Sequence, residues 1–290
     1  MAAPTVSVII PAYRAAEYLH RTVASVLTQT LRPHEIVIVD DGSKDDTFAV
    51  ASAMAAPVRA LTKPNGGPAS ARNFGAREAT GEWLAFLDAD DSWMPEKLER
   101  QMALAAKTGA GLVHCLYKPG LKPPDSVTFE DLWKENSIAT STVAIRRDVF
   151  LEAGGFDEDR ALIGVEDYNL WLKVAARKCP IVTLQENLIS YTRAAGSLTQ
   201  QVERFAKAEL TNLDKIAAEL KVDAAKVAAK RGEVYEQYGR ELLHYRHMKP
   251  AREYLGKALR QEFSGRRLKW WAVAAMPPAV LDRLSRAREK

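Results

Sequence analysis

Two apolar runs in this chain stop abruptly at carboxylates, and that pattern constrains the fold more than anything else in the sequence. Trp83 to Leu87 is an apolar run long enough for a strand buried on both faces, and Asp88-Ala89-Asp90-Asp91 follows it at once. Glu35-Ile36-Val37-Ile38-Val39 runs likewise into Asp40-Asp41-Gly42-Ser43. In an open α/β sheet, ligands bind beyond the carboxyl ends of the strands. Clustered carboxylates repel one another unless a cation sits among them, and Mg²⁺ or Mn²⁺ prefers oxygen ligands of this kind. Each cluster alone also reads as ordinary turn and cap chemistry: Ser92 and Pro95 suit a helix start, and Asp-Gly-Ser is a common turn. The second strand end of the same type is what favours a site.

The rest of the first half alternates strand and helix. Val6 to Ile10 is a β-branched strand, and Ala16 to Gln29 carries helical spacing through Tyr18, Leu19, Val23, Val26 and Leu27. A helix opens at Asp46 or Thr47 and runs to about Ala55, Val58 to Leu61 is a third strand, and Lys63 to Pro68 is a loop. Helices over 69–79 and 96–107 flank the organising strand, and Gly111 to Leu116 returns as a strand. This rhythm predicts parallel βαβ units with right-handed crossovers. Beyond Tyr117 it breaks into a loop, a short helix over 129–135, a strand over 142–146 and a helical turn over 148–153. A helix over 168–176 and strands over 181–184 and 188–191 follow. From about Thr199 the pattern is helical, with breaks at Lys249-Pro250 and Pro277-Pro278.

Composition excludes several classes. Cys115 and Cys179 are the only cysteines, far apart and in apolar contexts, so neither a disulfide framework nor a Cys-type zinc site is expected and a reducing cytoplasm is. The N-terminus lacks the basic start and apolar core of a signal peptide, and no run of 18 apolar residues predicts a membrane span. The net charge is +4, but residues 264–290 alone carry +5, leaving the remainder near −1. A nucleic-acid-binding body is not expected on that balance. No P-loop, G-x-G-x-x-G or Ser-His-Asp ordering occurs. His244 and His247 have no flanking carboxylate and read as a solvated face, and His114 reads as a structural strand residue.

Several other residues carry two readings. Asp41 suits the N–H of a base or a ribose hydroxyl, with Gly42 allowing a tight turn. Arg72 follows the Gly66-Gly67 loop and could reach the same edge or be a surface arginine. Glu166-Asp167, after the Gly154-Gly155-Phe156-Asp157 turn, opens a helix, where the dipole alone favours acids.

Taken together, four stretches resemble glycosyltransferase family 2. They are Val6 to Tyr13, Glu35 to Thr47, Gly67-Pro68-Ala69-Ser70-Ala71-Arg72-Asn73 and Phe86 to Asp91. The resemblance covers roughly residues 5–200 and implies a GT-A fold of α/β class, with a mainly parallel Rossmann-like sheet flanked by helices. It divides the chain into a glycosyltransferase domain over 1–198 and a helical region over 199–290. Residues 1–117 would be the nucleotide-sugar half and 118–198 the acceptor half. The implied activity is inverting transfer from a nucleotide-diphosphate sugar, with UDP favoured, to a glycan or lipid-linked acceptor. By resemblance, Pro11, Tyr13, Asp41, Arg72, Asp88 and Asp90 line the nucleotide site. Asp90 and Asp91 would hold Mn²⁺ or Mg²⁺, Asp167 is the candidate base, and Glu166 and Trp171 lie on the acceptor side.

Two family features are missing. Tyr191-Thr192-Arg193-Ala194-Ala195-Gly196-Ser197 lacks the histidine that often completes the metal site. The Gln-x-x-Arg-Trp-type motif of processive synthases is also absent, so single addition is expected. Tyr235 to Arg246 and Ala251 to Arg260 suggest a helical hairpin, and basic and aromatic residues mix within 264–290 as interfacial segments do. The expected location is cytoplasmic, with peripheral contact at the inner membrane face through 264–290. The alternatives are a sugar nucleotidyltransferase, whose glycine-rich phosphate loop is missing near Pro11, and a catalytically silent nucleotide-sugar-binding protein. A receiver domain would be much shorter and would place its acidic pair after the first strand.

Overall fold

The computed structural model describes residues 4–190 and 202–276. The chain divides into two compact units, residues 1–195 and 196–290. In the first unit the strands are β1 (Val6–Ala12), β2 (Glu35–Asp40), β3 (Val58–Thr62), β4 (Trp83–Phe86), β5 (Ser92–Trp93), β6 (Leu112–Leu116), β7 (Ser126–Val127), β8 (Ala144–Arg146), β9 (Ile181–Asn187) and β10 (Ile189–Ser190). The helices are α1 (Ala16–Leu27), α2 (Thr47–Ser52), α3 (Pro68–Glu78), α4 (Lys97–Thr108), α5 (Phe129–Lys134), α6 (Arg147–Glu152) and α7 (Glu166–Ala176).

Eight strands form one sheet in the order β3-β2-β1-β4-β8-β6-β9-β7. β1 pairs in parallel with β2 and β4, β2 with β3, and β6 with β9; β8 runs antiparallel between β4 and β6. The central strands β1, β2 and β4 are buried nearly throughout, which is why they read as apolar runs and not as alternating ones. The chain reverses its order of addition at β1, with β2 to one side and β4 to the other. The carboxyl ends of β1, β2 and β4 therefore open onto one crevice.

The strand expected over 142–146 begins later, because Thr140–Thr142 is a 3₁₀ turn and β8 starts only at Ala144. Thr142 Oγ1 donates to the Ala139 carbonyl at 2.6 Å, a local bond that competes with the sheet ladder. The last strand of this half, β10, leaves the main sheet and pairs antiparallel with β5 just beyond the acidic loop.

Two glycines are required where chain segments meet at the site. Gly42 has φ +71, and a Cβ there would lie 2.9 Å from the Asn65 backbone nitrogen. Gly155 has φ +69, and its Cβ would lie 2.7 Å from Asn73 Oδ1. That oxygen is engaged: it accepts from the Phe156 N–H at 2.9 Å, while Asn73 Nδ2 donates to the Phe156 carbonyl at 2.8 Å. Asn73 thus clamps the Gly154-Gly155-Phe156 turn to α3, and only a residue without a side chain lets the turn approach so closely.

The second unit contains α8 (Val202–Leu220), α9 (Ala224–His244), α10 (Met248–Gln261) and α11 (Gly265–Ala275). α9 and α10 form the expected helical hairpin, and Gly239 lets Leu255 approach the α9 backbone. The break falls at Tyr245–His247 and not at Lys249-Pro250, because Pro250 lies in the first turn of α10, where its missing N–H costs little. Val202, Ala206, Val234, Leu242, Ala251, Leu255 and Ala274 make this unit's own apolar core. The Pro277-Pro278 break lies outside the described residues.

Candidate active site

The acidic loop after β4 is fixed by its backbone. Thr22 Oγ1 donates to the carbonyls of Ala89 and Asp91 at 2.7 and 2.8 Å, and Arg21 donates to the Asp90 carbonyl at 2.6 Å. α1 therefore holds the main chain of the loop and leaves its carboxylates to face different partners. Asp88 accepts from Arg72 Nη2 at 2.6 Å. Asp91 turns inward, is 1% exposed, and accepts from Ser141 Oγ at 2.6 Å. Asp90 remains partly exposed, and burial together with the negative charge of Asp88 pushes its carboxyl above the ordinary value.

Arg72 is the hinge of the arrangement. Its Nη1 donates to Glu166 Oε1 at 2.8 Å while Nη2 holds Asp88, so one guanidinium joins the end of β4 to the start of α7. Its ring-like plane lies 5.4 Å from the Phe156 ring centroid. Burial disfavours the cation, but Asp88 and Glu166 outweigh it and raise Arg72 above its ordinary value. Glu166 is buried, and its other oxygen accepts from the Gly164 N–H at 2.6 Å. The surface alternative for Arg72 is thereby removed.

Asp167 sits one residue on, at the N-terminal turn of α7. Thr140 Oγ1 donates to its Oδ2 at 2.9 Å, and the Tyr168 N–H donates to its Oδ1 at 2.6 Å. Burial raises its pKa to about 7, with Glu166 adding to the rise and Thr140, Arg72 and the Tyr168 N–H opposing it. A carboxylate in that range both accepts and releases a proton near neutrality.

At the far side of the crevice, Asp41 is buried at the end of β2. Its Oδ1 accepts from Lys63 Nζ and the Gly66 N–H, both at 2.9 Å, and its Oδ2 accepts from the Gly67 N–H at 2.7 Å. The carboxylate thus organises the glycine loop that precedes α3, with residual acceptor capacity on its oxygens. Tyr13, just after β1, is 49% exposed with the Arg14 guanidinium 5.4 Å from its ring centroid, and Pro11 in β1 pairs in register with Val39.

Two sequence expectations are corrected by burial. Trp171, expected on the acceptor side, is completely buried and packed edge-on against Phe156 at 6.0 Å, so it is a core residue and lines no crevice. Asp91 keeps its carboxylate inside and is not presented to the crevice. Among the described residues no group of three or more His, Cys, Asp or Glu side chains is placed to hold a metal ion. The 191–197 segment, where a histidine is missing from the sequence, lies outside the described residues. Lys63, Asn73, Thr140 and Ser141 were not assigned from the sequence. Their side chains acquire roles only through partners 22 to 85 positions away, which no local pattern encodes.

Residues 7–144 match the family described as Glycosyl transferase family 2. A putative teichuronic acid biosynthesis glycosyltransferase of Bacillus subtilis, TuaG, is 31% identical over 224 residues, which is 70% of this chain and 85% of TuaG. The Escherichia coli UDP-Glc:α-D-GlcNAc-diphosphoundecaprenol β-1,3-glucosyltransferase WfgD is 32% identical over 179 residues, 58% of this chain and 69% of WfgD. The chain spans 58% of the length of the Rickettsia typhi glycosyltransferase that it also matches. Among solved structures, S. aureus TarS in complex with UDP-GlcNAc superposes with a TM-score of 0.65 at 19% identity, over 91% of this chain and 82% of that one. The chain belongs to glycosyltransferase family 2, and its first unit has the GT-A fold.

Replacing Arg72 with Leu leaves Glu166 buried without its cation, and breaking a buried pair in this way costs about 3–5 kcal/mol. Urea denaturation is expected to show that loss for Arg72→Leu, and the double variant Arg72→Leu/Glu166→Gln is expected to recover part of it. An unchanged midpoint in the single variant would show that the bridge is not structural.

Proposed function

We propose that the protein is a non-processive, inverting glycosyltransferase that moves a sugar from a nucleotide-diphosphate donor to a hydroxyl of a glycan or lipid-linked acceptor. The observation that carries this reading is the Arg72 bridge, which sets the donor-side loop Asp88–Asp91 beside Asp167. The work of WfgD on a diphosphoundecaprenol-linked acceptor and the assignment of TuaG to teichuronic acid synthesis support a role in cell-surface polysaccharide assembly. UDP is the favoured nucleotide, in keeping with the UDP-glucose donor of WfgD and the UDP-GlcNAc complex of TarS.

Inverting transfer is one displacement at the anomeric carbon. The acceptor oxygen forms the new bond as the bond from that carbon to the diphosphate oxygen breaks, and the acceptor proton must leave to a base. Asp167 takes that proton, its carboxylate poised by burial and by Glu166. Tyr13 offers an exposed ring to the base, Pro11 underlies it, and Asp41 fixes the loop and Arg72-bearing helix that close over the nucleotide. Asp90, partly exposed and next to the negative charge of Asp88, would hold Mn²⁺ or Mg²⁺ through its carboxylate. Such an ion, when bound, stabilises the negative charge of the leaving diphosphate.

Membrane contact fits the outward side of α11. Arg267 is buried against Glu236 and Glu262, but Leu268 and Trp271 are exposed and Lys269 accompanies them. Among the described residues no helix is long and apolar enough to cross a membrane. Contact at the cytoplasmic membrane face would therefore be peripheral.

Four measurements test this reading. UDP with Mn²⁺ is expected to raise the melting temperature of the purified protein, with the rise reduced by EDTA and by Asp90→Ala. No rise with UDP, GDP, CDP or dTDP would overturn it. Asp167→Asn is expected to lower turnover by about 100-fold or more while UDP affinity holds. In the unmodified enzyme kcat/KM is expected to fall as pH drops through about 7, where Asp167 takes up its proton. A flat profile from pH 5 to 8 would exclude Asp167 as the base. Finally, the full chain is expected to float with vesicles of phosphatidylglycerol, and Leu268→Glu/Trp271→Glu is expected to stay at the bottom of the gradient. Equal flotation would dismiss α11 as the contact.

A further inference from the structure

Thr140 and Ser141 are adjacent in the 3₁₀ turn, and both are buried. Their hydroxyls serve carboxylates from opposite halves of the site. Thr140 Oγ1 donates to Asp167 Oδ2 at 2.9 Å. Ser141 Oγ donates to Asp91 Oδ2 at 2.6 Å and accepts from the Asp88 backbone N–H at 3.1 Å. One peptide unit therefore separates the group that orients the candidate base from the group that orients the acidic loop.

The turn itself is held from behind. Trp93 Nε1 donates to the Ser141 carbonyl at 2.8 Å, and Gln101 Nε2 donates to the Thr142 carbonyl at 2.8 Å. Gln101 is oriented by the buried Lys97, whose Nζ lies 2.8 Å from its Oε1 and 3.9 Å from the Trp93 ring centroid. A buried network with its members satisfied in this way holds its side chains in one geometry.

We propose that Thr140 and Ser141 are positioning residues that set the Asp167 carboxylate and the Asp88–Asp91 loop in fixed register. The proposal rests on the glycosyltransferase reading of the site. The turn acts on the base through a hydrogen bond that favours its ionised form, and on the donor side through Asp91 and the Asp88 N–H. Asp167 also faces Glu166 on its own helix and Arg72 from α3.

The test needs no acceptor. Carboxyl ¹³C NMR titration of the full chain, with Asp167→Asn assigning the resonance, is expected to place the Asp167 midpoint higher in Thr140→Val. The rise should be about half a pH unit or more, and Thr140→Ser should restore the original midpoint. Calorimetry with UDP and Mn²⁺ is expected to show at least about threefold weaker binding in Ser141→Ala and unchanged binding in Thr140→Val. A wild-type titration in Thr140→Val, or wild-type affinity in Ser141→Ala, overturns the proposal. The base assignment fails separately, by normal turnover in Asp167→Asn, a result that neither the titration nor the affinity of the turn variants can produce.

Discussion

A single buried guanidinium holds the site together. Arg72 lies between Asp88 and Glu166, and without it the end of β4 and the start of α7 would place acids against one another in a buried crevice. Taking a cation out of water is costly, and two carboxylates with short contacts offset that cost only when their geometry is good. The planar fork of arginine allows one side chain to meet both partners at once, which a lysine ammonium does less well. Asn73, the next residue of α3, clamps the Phe156 turn, so two successive residues of one helix hold that turn and the start of α7.

The pairing divides the acids by role. Asp88 and Glu166 spend their charge on Arg72, whereas burial and a neighbouring acid push Asp90 and Asp167 upward against the weaker pull of Arg21 and Arg72. Environments that separate neighbouring carboxylates in this way assign different chemistry to residues of the same type. Asp91, adjacent to Asp90 in sequence, is spent on the Thr140–Thr142 turn.

The helical unit shows how burial reassigns charge. Arg266 and Arg267 look like part of a basic tail in the sequence, but both reach Glu236, and Arg267 also reaches Glu262. Trp270 carries the Arg240 guanidinium 4.6 Å from its ring centroid. Of the basic and aromatic residues described in α11, Arg266, Lys269 and Trp271 are exposed and Arg267 is buried, so the segment's composition overstates what it presents to a partner.

The parallel order of β1, β2 and β4, the crevice at their carboxyl ends and the acids that enter it were legible in the sequence. Local patterns encode them: apolar runs end where the sheet ends, and Gly and Pro mark the loops. The helical hairpin was legible for the same reason, since periodicity is a short-range signal. What each acid does was decided only by the tertiary structure. Asp90 and Asp91 are neighbours of the same residue type, yet one stays partly exposed and the other is buried against a serine 50 positions away. Trp171 was expected on the acceptor side and is a core residue, packed edge-on against Phe156. Roles of this kind depend on which distant donor and which solvent exposure each side chain meets, and those are properties of packing that no stretch of sequence carries alone.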